Sequence, residues 1–182
     1  MADSVYNEIN SIVNRKVNTY GLYNIHFGDP KKRVLMKHLE QMAEKLSKEN
    51  MLKKKDAIDS LLNTKAIGVA IHKKEDEAVA SVMIDFMPKE EREKLFKKAK
   101  ILDLADQFRF ELTKGFTAKE HRQKGLFTSL TDRVLKLRKE KTPVFAKTHD
   151  IATANRLMTK FRFQPIGDYD AKGETVYILG LA

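Results

Sequence analysis

The stretch 117-TAKEHRQKGLFTSL-130 connects an alternating apolar run, 108-FRFELTKGF-116, to a basic amphipathic segment. This order predicts a strand, a tight loop and a helix, so that the helix begins at the carboxyl end of the strand. The loop places four residues at the expected helix start, Arg122-Gln123-Lys124-Gly125. Free main-chain N–H groups, the positive end of the helix dipole and cationic side chains together favour an anion. We therefore predict that this loop binds a pyrophosphate, and the alternative is an ordinary helix start with a basic first turn.

Composition limits the classes of protein to which the chain can belong. Its 182 residues are enough for one domain with a hydrophobic core, and 42% hydrophobic with 33% charged residues is typical of a globular chain. The absence of cysteine excludes disulfides, thiolate nucleophiles and cysteine metal sites. No apolar run approaches the roughly 20 residues of a membrane span, and the polar N-terminal segment lacks the apolar region of a signal peptide. We expect a cytoplasmic protein that does not enter a membrane.

The formal net charge of +10 and the pI of about 9.6 favour polyanionic ligands, such as nucleic acid or a phosphorylated cofactor. Two regions carry the excess of lysine and arginine, 31–55 and 119–141. The second is partly explained by a phosphorylated ligand at the loop. The first is either a solvated face or a surface for an acidic protein or nucleic acid.

Apolar periodicity and turn residues predict the order of the elements. A helix at 3–15 precedes a strand at 21–27, after which Asp29 caps a helix with Pro30 at its first position. This helix extends to about Lys48 and buries a stripe of apolar side chains, namely Leu35, Leu39, Met42 and Leu46. The later elements are a helix at 55–63, strands at 66–73 and 77–86, a charged helix at 88–98, the strand 108–116, the helix 126–137, a strand at 143–149, a helix at 151–160 with Ile151 inward, and strands at 161–169 and 174–181.

This order and the loop resemble the GNAT acyltransferase superfamily. Its signature, Gln/Arg-x-x-Gly-x-Gly/Ala after the fourth strand, is matched by Arg122-Gln123-Lys124-Gly125-Leu126-Phe127, and 160-KFRF-163 resembles its Lys-Leu-Gly-Phe ending. The resemblance implies a single α/β (α+β) GNAT-like domain over 1–182. Its mixed, mostly antiparallel central sheet would be splayed between the fourth and fifth strands and flanked by helices. Residues 1–20 would be an N-terminal helical extension.

The resemblance also implies an acetyl-CoA-dependent N-acetyltransferase, in which the acceptor amine attacks the thioester directly in a ternary complex. Main-chain amides near Phe116 and Thr117, beside the gap between the strands, would hold the thioester carbonyl, and Gly115 is a candidate bulge. The loop would hold the pyrophosphate of acetyl-CoA through seven residues, Arg122, Gln123, Lys124, Gly125, Leu126, Phe127 and Thr128. Phe127 departs from the signature, because glycine or alanine is usual at that position.

Glu111 is the candidate general base, because a glutamate at this spacing from the signature serves that role in one branch of the family. Its alternative is a solvated or salt-bridged position beside Arg109. The usual acid, a tyrosine on the helix after the fifth strand, falls on Met158, so Tyr169 is the substitute candidate. Asn155 is a candidate cofactor contact, although it lies four residues later than the asparagine of the family.

The five histidines show no ligand pairing, and with no cysteine we expect no metal site. His121, beside the anion loop, either approaches a phosphate or is a solvated loop histidine. The acceptor is an unidentified amine, and the lysine-rich first region would suit an acidic or nucleic-acid-associated one. The rival function is a GNAT-like scaffold without catalytic activity that binds nucleic acid or a protein. A small-molecule kinase is disfavoured, because the chain has no Gly-x-x-x-x-Gly-Lys-Ser/Thr loop.

Overall fold

The computed structural model describes residues 21–53, 56–138 and 142–182, so the helix predicted for 3–15 lies outside the described residues. The chain divides into two compact units. The first contains residues up to Met83 together with Lys114–Leu137, and the second contains Ile84–Thr113 together with Arg138–Ala182.

The described residues form seven strands, which are β1 (Tyr23–Gly28), β2 (Ala66–His72), β3 (Glu77–Phe86), β4 (Phe110–Thr117), β5 (Val144–Thr148), β6 (Gln164–Ala171) and β7 (Glu174–Leu181). They are hydrogen-bonded in the order β1-β2-β3-β4-β5-β7-β6. β4 and β5 are parallel, whereas β1–β2, β5–β7 and β6–β7 are antiparallel. This arrangement confirms the predicted mixed, mostly antiparallel sheet.

The helices of the described residues are α1 (Pro30–Arg33), α2 (Met36–Lys48), α3 (Ala57–Leu62), α4 (Lys89–Lys98), α5 (Leu126–Lys136) and α6 (Ile151–Phe161). Two one-turn 3-10 helices lie beside β4, at Leu102–Leu104 before it and at Lys119–His121 after it. None of the helices in this described part of the chain is long and apolar enough to cross a membrane.

The first long helix differs from the prediction. Asp29 caps α1 and Pro30 occupies its first turn, as predicted, but the helix stops at Arg33. Val34 and Leu35 are extended, and α2 begins at Met36. Leu35 is 60% exposed rather than part of the buried stripe, because its extended backbone takes its side chain off the helical register. Leu39, Met42 and Leu46 are buried as predicted.

The helix after β5 has a second departure of the same kind. Ile151 is 53% exposed rather than inward, because it occupies the first helical position next to the capping residue, Asp150. Ala154 and Leu157 are buried as predicted.

The parallel pair covers only part of the two strands. Its register joins Phe110 to Val144, Glu111 to Phe145 and Leu112 to Ala146. β5 goes on beyond this register and pairs with β7 as far as Thr148 and Tyr177. The parallel register is thus three residues long and lies at the beginning of β4, before the glycine at 115.

Each unit has its own hydrophobic core. In the first, apolar residues of α2, α3, β2 and β3 pack together with Phe116 of β4. In the second, Phe96 of α4 packs edge-on against Phe145 of β5, with ring centroids 5.2 Å apart, and Phe108 and Ile178 join the same cluster. Both cores contain residues from β4 or its flanks, so the strand that leads to the loop is firmly packed.

The turn between β2 and β3 is tied to α2 through Asp76. This carboxylate accepts a hydrogen bond from Lys37 and lies 3.0 Å from Nε2 of the buried His38. These hydrogen bonds, that of Lys37 first, hold the pKa of Asp76 below its usual value. Because the pKa is lower in the folded than in the unfolded chain, the carboxylate stabilises the fold above the unfolded pKa of about 4 and ceases to do so as the pH falls.

We predict that Asp76→Asn lowers the melting temperature at pH 7 and that its difference from the wild type shrinks as the pH falls below about 4. Thermal unfolding followed by circular dichroism at both pH values measures this difference. Asp168→Asn, an exposed position on β6, is the matched control. A difference that is as large at pH 3 as at pH 7 would contradict the role of the carboxylate.

Candidate active site

The loop after β4 brings two left-handed residues to the start of α5. Gln123 has φ +61°, and Gly125 has φ +73° and ψ +6°. The first helical hydrogen bond runs from the N–H of Ser129 to the carbonyl of Gly125, at 3.0 Å. Residues 122–125 are exposed, whereas Leu126 is buried in the first unit and Phe127 and Thr128 are half-buried. The predicted glycine is therefore the N-cap of the helix, in the conformation that glycine adopts most readily.

The N-terminus of α5 differs from that of α6 in its capping. Asp150 caps α6 by accepting from the N–H groups of Ala152 and Thr153, at 3.2 and 3.0 Å. Gly125 has no side chain, and no side-chain hydrogen bond caps α5 at this position. The first N–H groups of a helix have no intrahelical partner. An acceptor supplied by a ligand suits the start of α5 better than that of α6.

Arg122 stabilises the conformation of the loop. Its Nε donates to the carbonyl of Thr117 at 3.1 Å, which joins the two ends of the connection between β4 and α5. Lys124 is exposed beside the N-cap. In this geometry Lys124 contributes charge to the mouth of the loop, while Arg122 mainly fixes the shape of the loop.

β4 is irregular just before the loop. Lys114, next to the candidate bulge position Gly115, has a positive φ of +51°, and its side chain is buried. The hydroxyl of Ser81 donates to the carbonyl of Lys114 at 3.1 Å and holds this conformation. A left-handed residue inside a strand changes the alternation of its side chains. Phe116 consequently enters the core of the first unit, and the strand ends at Thr117.

Gly115 also leaves room for a neighbouring side chain. A Cβ added there would lie 2.7 Å from Cε2 of Phe127. The ring of Phe127 therefore lies directly against the backbone of β4, in space that any larger residue at 115 would fill. The large side chain of Phe127, where the signature has a small residue, is therefore accommodated by the absence of a side chain at Gly115.

We predict that Gly115→Ala lowers the free energy of unfolding by about 1–3 kcal/mol, because the methyl group overpacks against the Phe127 ring. The same substitution made in a Phe127→Ala chain should cost clearly less. Chemical denaturation of the four proteins gives the coupling energy of the pair. An equal cost with and without the ring would show that the close approach does not constrain the strand.

Glu111, the candidate base, is buried in the second unit. Its side chain is 9% exposed, and Oε1 lies 3.1 Å from Nζ of Lys147 on β5. The pairing of Glu111 with Phe145 puts these groups on the face of the sheet that carries the second core. The salt-bridged alternative is thus the correct description of its surroundings, although the partner is Lys147. Arg109 instead donates to the carbonyl of Asp106.

Sequence reasoning missed Lys147 and also Asp85. The N–H of Met87 donates to the carbonyl of Arg109 at 3.0 Å, and the rings of Phe86 and Phe110 are 5.8 Å apart. These two contacts imply an antiparallel register in which Asp85 of β3 falls opposite Glu111, on the same face. The alternation of side chains along the predicted strand 77–86 gives the face on which Asp85 lies. Placing Asp85 beside Glu111 also requires the register between β3 and β4, which the sequence does not give.

The structure does not bring Tyr169 beside Glu111. Tyr169 lies on β6 and packs against the core of the second unit. In the order β4-β5-β7-β6, three strand spacings, about 14 Å, separate the two strands. The registers place Gln164 in line with Glu111, and Tyr169 lies five residues further along β6. Asn155 is exposed on α6, and its carbonyl accepts from the hydroxyl of Thr159. Arg162, which replaces the usual glycine, is the left-handed C-cap of α6 with φ +61°.

Comparisons with known proteins give a consistent fold. No protein-family model and no curated protein matches the chain. Among solved structures it is similar to Escherichia coli ElaA, with a TM-score of 0.61 and 13% identity over 88% of this chain and 100% of that chain. Arabidopsis thaliana NAA60 in complex with acetyl-CoA gives 0.59 and 13% over 87% and 97%. A Drosophila melanogaster polyamine N-acetyltransferase gives 0.55 and 18% over 86% and 99%. Likeness at these identities concerns the fold.

Proposed function

Starting from a chain that has the GNAT fold, we propose that this protein is an acetyl-CoA-dependent N-acetyltransferase. The observation that carries the proposal is the start of α5, where a left-handed glycine leaves the helix without a side-chain cap. This feature lies in the segment that resembles the pyrophosphate loop of the superfamily. The fold likeness extends over most of the chain, and the geometry of the loop adds a local observation to it.

The diphosphate of acetyl-CoA would accept hydrogen bonds from the main-chain N–H groups at the start of α5. Lys124 and the helix dipole favour the negative charge, and the bond from Arg122 to Thr117 keeps the loop in shape. Thr128 and the buried Leu126 position the first turn. Asn155 remains a predicted cofactor contact, with its exposed position as the supporting observation.

The chemistry requires an amine without its proton. Glu111 would accept the proton of the acceptor ammonium, after which the amine nitrogen attacks the thioester carbonyl carbon. The carbon–sulfur bond then breaks, the nitrogen loses its remaining surplus proton to solvent to give the amide, and the thiolate takes up a proton. Amides around Phe116 and Thr117 would bind the carbonyl oxygen while it carries negative charge. Tyr169 remains the predicted donor to the thiolate, and solvent is the other source of that proton.

The charges around Glu111 favour a particular form of acceptor. Asp85 and Glu111 would supply two carboxylates here, beside the ammonium of Lys147. A pair of carboxylates attracts an amine that is protonated in solution. We therefore propose a primary amine as the acceptor.

A second candidate function is supported by Phe127. Its ring, packed on β4, occupies a position where the signature of the superfamily has a small residue. A GNAT-like scaffold that no longer binds acetyl-CoA could bind nucleic acid or an acidic protein through its excess of basic side chains, since the chain has 35 basic and 25 acidic ones.

Isothermal titration calorimetry distinguishes the two candidate functions. The enzyme should bind acetyl-CoA with micromolar affinity and bind duplex DNA and single-stranded RNA weakly, with little dependence of acetyl-CoA binding on moderate salt. Nucleic-acid binding that weakens steeply with salt, together with no heat from acetyl-CoA, would support the scaffold and reject the enzyme.

A further inference from the structure

An aromatic cluster in the first unit has no part in the mechanism above. Tyr23 of β1, His72 of β2 and His121 of the 3-10 helix Lys119–His121 come together. The hydroxyl of Tyr23 and Nδ1 of His121 are 2.8 Å apart. The rings of His72 and His121 have centroids 5.2 Å apart, and Tyr23 lies edge-on to both. Tyr23 is 1% exposed, so the cluster attaches to the core the segment just before residues 122–125, which we call the donor loop.

His121 directly precedes Arg122, the first residue of the loop. We propose that His121 is a positioning residue of the donor loop, and that a phosphate group of the donor binds there together with a proton on the His121 ring. The inference rests on the proposed function, because it assumes that the loop holds a phosphorylated donor.

The charges around the ring make its protonation sensitive to an anion. Partial burial, followed by the positive charges of Lys124 and His72, lowers the pKa of His121, while Glu75 and Glu120 act in the opposite direction. His72 Nδ1 lies 3.2 Å from a carboxylate oxygen of Glu75, outside hydrogen-bond geometry. A phosphate beside Lys124 would offset the positive charge of that lysine and favour the protonated ring of His121.

The bond to Tyr23 is compatible with both states of the ring. When Nδ1 carries no proton, the hydroxyl of Tyr23 donates to it. When the ring is protonated, Nδ1–H donates to the hydroxyl oxygen. The ring can therefore gain a proton without moving away from β1, which suits a residue that keeps the loop in place.

The test is calorimetry of acetyl-CoA binding at neutral pH in two buffers of different ionisation enthalpy, which measures the protons taken up per molecule bound. The wild type should take up more protons than His121→Gln, and affinity should rise as the pH falls through the neutral range only when His121 is present. Protonation of the ligand's own phosphate contributes equally to both proteins. His149→Gln, at an exposed histidine outside the cluster, is the matched control and should keep the uptake of the wild type. His72→Gln removes a group that lowers the pKa of His121 and should change the uptake by less than His121→Gln does.

Two further titrations identify the phosphate group that is sensed and test the role of the Tyr23 hydroxyl. Dephospho-CoA, which lacks the 3′-phosphate, should retain the extra uptake if the diphosphate is the group sensed and lose it if the 3′-phosphate is. Tyr23→Phe keeps the ring but removes the hydroxyl, and should weaken acetyl-CoA binding by about 2- to 10-fold.

Equal proton uptake by the wild type and His121→Gln would overturn the inference while leaving the enzyme proposal intact. No binding of acetyl-CoA by the wild type would overturn both. Loss of uptake in His72→Gln but not in His121→Gln would transfer the role to His72 and also reject the assignment made here.

Discussion

Glu111→Gln should lower the rate of acetyl transfer by about 100-fold or more, which is the usual contribution of a general base. The amide keeps the size of the carboxylate but cannot accept the proton of the acceptor. Because Glu111 is not among the groups proposed to bind the donor, the KM for acetyl-CoA should change little. Release of free thiol from acetyl-CoA in the presence of a pool of primary amines measures the rate.

The loss of the Glu111–Lys147 ion pair could also affect folding, so the thermal unfolding of the variant is measured in parallel. Glu174→Gln, at the exposed beginning of β7, is the matched control and should retain full turnover. Asp85→Asn should give an intermediate loss if the second carboxylate helps to attract the amine. Turnover by Glu111→Gln equal to that of the wild type would remove this residue from the mechanism.

Gly125→Asp should weaken acetyl-CoA binding by about 100-fold. The substitution places a carboxylate at the N-cap of α5, where it can accept from the helix N–H groups and repel the diphosphate. Losing one or two charge-assisted hydrogen bonds is enough for a change of this size. Calorimetric titration with acetyl-CoA measures it.

Gly125→Asn separates charge from backbone strain. Asparagine has the same shape as aspartate and tolerates a left-handed conformation such as φ +73°. Its side chain can cap the helix but carries no charge, so binding should weaken by only about tenfold. Equal losses in the two variants would mean that conformation, and not the anion site, explains the effect.

The fold could largely be predicted because local signals agreed with the tertiary structure. The Asp29-Pro30 cap, the turn between β2 and β3 and the apolar stripe of α5 each determined an element. The break in the helix at Leu35 could not be predicted, because the spacing of Leu35 fits the apolar stripe. Its extended backbone, which takes the side chain off that stripe, is seen only in the structure.

The site was less predictable than the fold. The loop at 122–125 was found because glycine and basic residues follow a strand directly in the sequence. Lys147 and Asp85 were missed because their proximity to Glu111 depends on registers between strands that are distant in the chain. The contact of Phe127 with Gly115 likewise depends on how α5 packs on β4. Such contacts are tertiary, and no local pattern encodes them.

A crystal structure of the protein with CoA will show whether the start of α5 binds the diphosphate. We expect diphosphate oxygens within about 3.2 Å of main-chain nitrogens between Gly125 and Thr128. Bound CoA whose diphosphate contacts none of these nitrogens would rule out this binding site.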